Sequence, residues 1–403
     1  MKKLRIVEAG NEVSLGGTEY VMQLYCKYLN KEYFDVTVVA IHLGGVRAKL
    51  IEDLGIPVVI LNGDIEKMAG ILQETDVFHW HCNGWMDKSL LEILKANRPK
   101  LVIHNNVFGE HYHSEYYDVF DFDLYVSNMI LIRRIYIDRM SGKSMPSDIF
   151  ASKRKVLANP VDVTEILNSL PSDEEVRSFK KVHDLEDQFI VGRIGRANNS
   201  KFDLITLDGF AEFNRLVSNT KFLLVGATPE ILAHASSLGI KEHLIILEPE
   251  ADLKTILLYY KALDIFLAAS TIGESFGMAI AEAMTVGVPV VTVSDIDKDN
   301  AQIEIVDNNK TGLVVEKNSN KIADAIFSLY QDKNKWNQFS VSSRHKIIKE
   351  YKADNIVKSF ETLVFNHFQI LSPYKDKNLL KSYSKKMVVN YFNRCHSLWN
   401  KEN

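Results

Sequence analysis

Twice along this chain, short β-branched runs alternate with longer stretches of helical period, and that βα order admits few folds besides parallel sheets covered by helices. In the first part Leu4 to Glu8, Val36 to Ile41, Pro57 to Leu61, Val77 to His81, Leu101 to Asn105 and Leu124 to Val126 read as strands. Thr18 to Leu29, Arg47 to Asp53, Asp64 to Gln73 and Lys88 to Ala96 read as helices between them. A polar stretch from Pro160 to Gln188, with little strand propensity, separates this part from the next. There Phe189 to Ile194, Lys221 to Val225, Leu244 to Leu247, Asp264 to Leu267, Val288 to Thr292 and Gly312 to Val315 read as strands, with helices such as Leu204 to Phe213 and Leu253 to Ala262. After about Ser340 strand signals stop. The expected fold class is α/β: two tandem doubly wound Rossmann-like domains facing an interdomain cleft, with a carboxyl-terminal helical extension. Expected boundaries are 1–165, 166–350 and 351–403, the last segment crossing back and ending in a basic tail.

The composition fits folded domains: 46% of the 403 residues are apolar and 25% charged, which excludes a fibre and a largely disordered chain. Lys plus Arg number 48 against 52 acids, so no field favours nucleic acid as a partner. Seven of those cations, against two acids, fall from Leu371 onward. Cys26, Cys82 and Cys395 have neither disulfide-framework nor zinc spacing, and Glu8 and Glu12 interrupt any leader-like apolar run. No apolar run reaches the roughly 18 residues that span a bilayer. The expected location is the cytoplasm, with the inner face of a membrane as a further possibility.

Three constellations carry chemistry. In SLGGTEYV, Gly16 and Gly17 open a helix whose N–H groups suit a phosphate; plain turn geometry is the other reading. In VGRIGRANNSK, a strand runs into a loop bearing Arg193, Arg196 and Lys201, which either converge on an anion or form a solvated basic loop. In GESFGMAIAEAM, Glu274 lies in a loop, Ser275-Phe276-Gly277 enters a helix, and Glu282 follows among apolar neighbours. Such an acid needs partners: the two hydroxyls of a ribose, or a neighbouring Lys or backbone amide.

These residues resemble the retaining glycosyltransferases of the GT-B fold, family 4 (glycosyl transferases group 1). Glu274 and Glu282, with seven residues between them, match that family's paired glutamates; GRANNSK, GVPVV, NAQIEIVDNNKTGLVV and GGTE match in the same order, to about Phe360. The resemblance implies that Arg196 and Lys201 hold the diphosphate of a nucleotide-sugar donor and that Glu282 holds its ribose. It also implies that Glu274 faces the transferred sugar, with the N–H groups of Phe276, Gly277 and Met278 near the sugar and phosphates. Gly17, beside Gly16, would close over the diphosphate from the first, acceptor-side domain. His104 matches a family histidine beside the donor sugar, although Val102 stands where the family often has Thr. The implied reaction moves the sugar to a glycan or lipid-linked acceptor with retention, without metal and with no cofactor beyond the donor substrate. A nucleotide-sugar epimerase on the same frame and a non-catalytic two-domain sugar-binding protein are the alternatives.

Other features are set against that reading. Asp295, Asp297 and Asp299 imitate a calcium loop but lack its Gly and final Glu, so the loop reads as solvated. Asp121 and Asp123 form a DxD just before a strand and read as incidental. His79 and His81 point to one side of a strand, as core or cleft-lining histidines or as metal ligands with no third ligand apparent; Asn83 to Trp85 are a candidate acceptor loop. The tail interleaves Lys381, Lys385, Lys386 and Arg394 with Tyr383, Val388, Tyr391, Phe392 and Trp399, which suits either an anionic membrane surface or packing onto the body. The sugar, the nucleobase and the acceptor are not readable.

Overall fold

Where β-branched and apolar residues run unbroken, the strand is covered on both faces: Val38, Val39, Ala40 and Ile41 are each fully buried. The computed structural model describes residues 2–82, 84, 86–110, 116, 118–142, 152–375 and 378–399. In chain order its first strands are β1 (Leu4–Glu12), β2 (Phe34–Leu43), β3 (Val58–Ile60), β4 (Val77–His81), β5 (Leu101–Asn106), β6 (Phe122–Tyr125) and β7 (Arg154–Val156). There follow β8 (Phe189–Ile194), β9 (Thr220–Val225), β10 (Leu244–Leu247), β11 (Ile265–Ala268), β12 (Gly273–Glu274), β13 (Val290–Ser294), β14 (Asp299–Asn300) and β15 (Leu313–Glu316). The last, β16 (Lys381–Ser382), comes after three long helices.

The chain divides into two Rossmann-like units. Met1–Pro160 and Tyr351–Val389 make the first; Val161–Glu350 and the residues from Asn390 on make the second. The first sheet has the order β16-β7-β6-β5-β4-β1-β2-β3, parallel except for the β16–β7 pair. Its order reverses between β4 and β1. The second sheet, β10-β9-β8-β11-β13-β15, is parallel throughout and reverses between β8 and β11. At such a reversal the crossovers leave to opposite faces, and a crevice opens outside the carboxyl ends of the two central strands.

Local signals explain most element ends. Asp87 caps the Lys88–Ala96 helix by accepting from Ser89 and Leu90 N–H, and Ser172 with Glu175 forms a capping box on the Asp173–Val182 helix. That helix and Val163–Asn168 occupy the polar stretch expected to separate the domains, and both lie in the second unit, whose division falls at Pro160 rather than 165. The expectation of helix alone after Ser340 is corrected by β16. Its two residues take up the free edge of β7, with Lys381 opposite Val156 and Ser382 opposite Lys155. Asp123 lies within β6 and not ahead of it.

Candidate functional site

In the second unit, β8 and β11 both deliver polar loops to the crevice side of the sheet. Arg193 is the penultimate residue of β8 and is buried, with its guanidinium donating to Ile194 O at 2.7 Å and Lys201 O at 3.1 Å. Its charge also lies over the Phe266 ring, 5.6 Å from the centroid. Those bonds curl the loop back, so that Lys201 follows close to where β8 ends. The loop after β11 is sewn to it: Thr271 Oγ1 donates to Asn199 O and Phe202 O at 3.1 Å each, and Ile272 N to Ser200 O at 3.2 Å. As a result Lys201 Nζ stands 3.6 Å from Glu274 Oε2, and Arg193 Nη2 stands 3.9 Å from Oε1.

Glu274 is held by its backbone as well. Residues Gly273 and Glu274 pair with Asp299 and Asn300 as β12 and β14, and Ala301 N donates to Glu274 O at 2.9 Å. A Cβ on Gly273 would fall 1.9 Å from Asp299 O, and the residue has φ +77°, so both the close approach and the left-handed backbone require glycine. The aspartate-rich loop is exposed at Asp297, in keeping with a solvated loop, but its end has this structural task. Arg196 is exposed in the β8 loop. Its backbone is pinned from β9, because Gly226, at φ +84°, comes so close that a Cβ would lie 2.7 Å from Arg196 C.

Gly277 N-caps the Met278–Val286 helix with φ +108°, Phe276 is buried, and Met278 is half-buried at the first position of that helix. Glu282 lies in the second turn, half-buried, and accepts from Tyr260 Oη at 2.9 Å; the same hydroxyl is 3.2 Å from Ala279 O. The carboxylate therefore has a tyrosine partner that neither the ribose nor the Lys reading foresaw. Sequence spacing named Arg196, Lys201 and Glu274 but not Arg193 as the cation fixed against Glu274. Its alternation inward along β8 was the available signal.

In the first unit, Gly16 N-caps the Gly17–Tyr28 helix without a side-chain cap bond. A Cβ on Gly16 would fall 1.6 Å from Glu19 Oε2, so the Glu19 carboxylate lies against that turn, whereas a Cβ on Gly17 would meet open space. His104 is fully buried against the rings of Trp80 and Phe120, at centroid distances of 5.5 and 5.4 Å, and its Nδ1 is 3.0 Å from Asp123 Oδ1. Burial alone would lower the histidine and raise the aspartate; the bond and charge each offers the other outweigh it, raising His104 and lowering Asp123. Asp121 accepts from Val102 N and pairs with Arg98 at 2.7 Å, so both acids of the DxD serve the first unit's own structure.

His79 and His81 do have a third partner: Glu8, opposite them on β1. His81 Nε2 and His79 Nδ1 lie 2.6 and 2.9 Å from the same Glu8 oxygen, all within a fully buried cluster. Asn105 Nδ2 meets His81 Nδ1 at 3.1 Å, and with the amide donating there, Nε2 carries the proton shared with Glu8. By residue type the trio suits a divalent ion, and its ligand atoms lie within 4.8 Å of one another. Yet the contacts are shorter than the roughly 3.3 Å that separates ligand atoms around a tetrahedral zinc, and they describe a hydrogen-bonded core network. The acceptor loop expected at Asn83 to Trp85 lies outside the described residues except for Gly84.

Residues 175–352, most of the second unit with every candidate site residue it carries, match the family model described as glycosyl transferases group 1. This stretch is similar to the group 1 glycosyl transferases. Two curated relatives agree: N-acetyl-alpha-D-glucosaminyl L-malate synthase of Bacillus anthracis is 26% identical over 152 residues, covering 37% of this chain and 38% of that one. Alpha-monoglucosyldiacylglycerol synthase of Acholeplasma laidlawii is 23% identical over 174 residues, 42% of each chain. The matched part thus spans about two-fifths of the length of these relatives. Anabaena HepE, crystallised with UDP and glucose, shares 18% identity but superposes with a TM-score of 0.72 over 90% of this chain and 100% of its own. The fold of the two units is therefore that of the GT-B glycosyltransferases.

Proposed function

We propose that this chain transfers a sugar from a nucleoside-diphosphate sugar to a glycan or lipid-linked acceptor, with retention of configuration. The observation that carries the reading is the pairing of Glu274 with Lys201, whose loop also bears the exposed Arg196, at the β8–β11 reversal where a Rossmann sheet binds its ligand. Arg196 and Lys201 neutralise charge developing on the departing phosphate, and Lys201, already adjacent to Glu274, places that carboxylate at the junction of sugar and phosphate. The helix start at the Gly277 cap, with the backbone of Phe276 and Met278, offers its N–H groups to the same anion. Glu282, oriented by Tyr260, takes the ribose hydroxyls.

The fixed cations offer the stabilisation that a divalent ion supplies elsewhere, which supports a metal-independent reaction. The acceptor attacks from the leaving-group side and gives its proton to a phosphate oxygen, so no protein base is assigned. Gly17, with open space above it, is the backbone position in the first unit suited to a phosphate, while Gly16 shares its turn with Glu19. His104 is sealed in the core, so its part in the reaction is to position the end of β5 rather than to touch the sugar.

The test is nucleotide release from UDP-, GDP- and ADP-sugars with candidate acceptors, with and without chelator, and the product's anomeric configuration by NMR. Acceptor-dependent release from one donor class, indifferent to chelator, with a retained anomer, is expected. Isomerised donor without acceptor would establish an epimerase instead, and binding without turnover of any donor would leave a sugar-binding protein.

A further inference from the structure

We propose that one face of the first unit, formed by the last turns of the Asn128–Met140 helix and the β16 edge beside it, seats on an anionic lipid surface. The inference stands apart from the transfer reaction. Ile130, Leu131, Arg134, Ile135 and Asp138 turn that helix's inner side to the unit, while Tyr136, Ile137 and Met140 stand 63%, 42% and 73% exposed on the other. Three apolar side chains one turn apart at the end of a helix form a knob, not a scatter of single exposed residues.

Among the described residues, the exposed charges of the knob helix and of β16 are basic. The helix's own acid, Asp138, is buried in pairs with Arg134 and, at 2.9 Å, with Arg154 of β7, so it offsets nothing outside. Arg154 thereby marks the sheet face that the helix covers. Val156, two residues on, shares that face, and so does its cross-strand partner Lys381 on β16. Lys381 is exposed, and Lys385 and Lys386 follow it, exposed, at the start of the tail helix; Arg139 is exposed on the knob itself. None of these four has an ion-pair partner among the described residues, whereas other surface cations do: Lys49 with Asp53, Lys67 with Asp64, Arg215 with Glu212.

Unpaired cations on the knob helix, on the neighbouring β16 edge and at the start of the tail helix, with an aromatic and two aliphatic side chains, complement a negatively charged headgroup layer over hydrocarbon. The overall charge of −4 gives no comparable attraction to nucleic acid. The structure also divides the two readings of the tail. Arg394 pairs with Asp307 at 2.6 Å and donates to Ile303 O at 2.8 Å, and Cys395 is buried, so its later part packs on the second unit; Lys385 and Lys386 stay free.

The experiment is flotation of the full chain with phosphatidylcholine vesicles made with and without phosphatidylglycerol. The parent is expected to float only with the anionic vesicles, and less at high salt. The triple variant K381E/K385E/K386E is expected to partition at least about a hundredfold more weakly, and Y136S/I137S/M140S to lose binding by a similar factor. Circular dichroism and melting of each variant show that it is folded, and nucleotide release with a soluble acceptor separates lipid seating from the reaction. Absence of binding by the parent, or flotation of both folded variants at the parent's level, overturns the proposal. So does a parent dimer that becomes monomeric in the apolar variant by light scattering, which would assign the face to a second copy of this chain.

Discussion

Lys201 Nζ lies 3.6 Å from Glu274 Oε2, although Lys201 belongs to the loop after β8 and Glu274 ends the two-residue β12. The segments that carry them are sewn together by backbone acceptors: Asn199, Ser200 and Phe202 take hydrogen bonds from Thr271 and Ile272. The ion pair is the outcome of that sewing. Being partly solvated, it adds little stability by itself, and its geometry matters more for what it presents to a ligand.

If the two cations stabilise the leaving diphosphate, Lys201→Ala and Arg196→Ala should each lower kcat/KM by about a hundred- to a thousandfold. Arg196 is exposed, so its removal should change stability by less than about 0.5 kcal/mol. Steady-state nucleotide release with denaturant unfolding checks both numbers. Unchanged turnover in both variants would refute the role given to these side chains.

Arg193 should behave in the opposite way. Its guanidinium is buried and shared between Ile194 O, Lys201 O and the Phe266 ring, so Arg193→Ala strips two carbonyls of their donor. We expect a loss of about 3 to 5 kcal/mol on urea unfolding, with partial recovery in Arg193→Lys. A loss confined to activity would mean that Arg193 contacts substrate instead.

At Gly273, alanine would force a Cβ into Asp299 O and a positive φ on a residue that resists it. Gly273→Ala should open the β12–β14 pairing and let Glu274 drift, costing at least about 1 to 3 kcal/mol and most of the turnover. Disappearance of protection at the Ala301 amide in hydrogen exchange would show the pairing lost. Full protection with full activity would show the loop accommodating the methyl.

The histidines of the first unit predict a stability maximum in pH. Burial, then the charge of His79, lowers His81 to about 4, against the bond from Glu8. Unfolded chains therefore take up a proton near pH 6.5 that the fold refuses, so stability falls as pH drops from there towards 4. Glu8 is opposed by its burial but lowered overall by His79 and His81, which adds a loss as pH falls through the carboxylate range. His104 is raised by Asp123, so its contribution is complete below about pH 6.5 and declines as pH rises beyond. The melting temperature should thus peak at roughly pH 6.5, and His81→Gln should flatten the acid limb while leaving the alkaline one. A monotonic profile would show that these groups are not coupled to folding.

What could be known from the chain alone was what depends on neighbours in sequence. Val77–His81, Lys88–Ala96, Phe189–Ile194 and Leu253–Ala262 have the ends that periodicity assigns, because apolar spacing and turn residues such as Asp87 act within a few positions. Arg196, Lys201 and Glu274 were identifiable as a set through the resemblance of their motifs to a known family, since each motif is a run of neighbours in sequence. The three-residue β7 and two-residue β16 were not, since so short a strand has no period and exists only where a partner edge is free. Nor were the partners across the fold: Arg193 against Glu274, Tyr260 on Glu282, Glu8 beneath His79 and His81, and Gly273 against Asp299. Each joins residues whose nearness follows from strand order and loop closure. Tertiary packing alone decided them, because the free energy of a buried charge depends on which atoms surround it and not on which residues precede it.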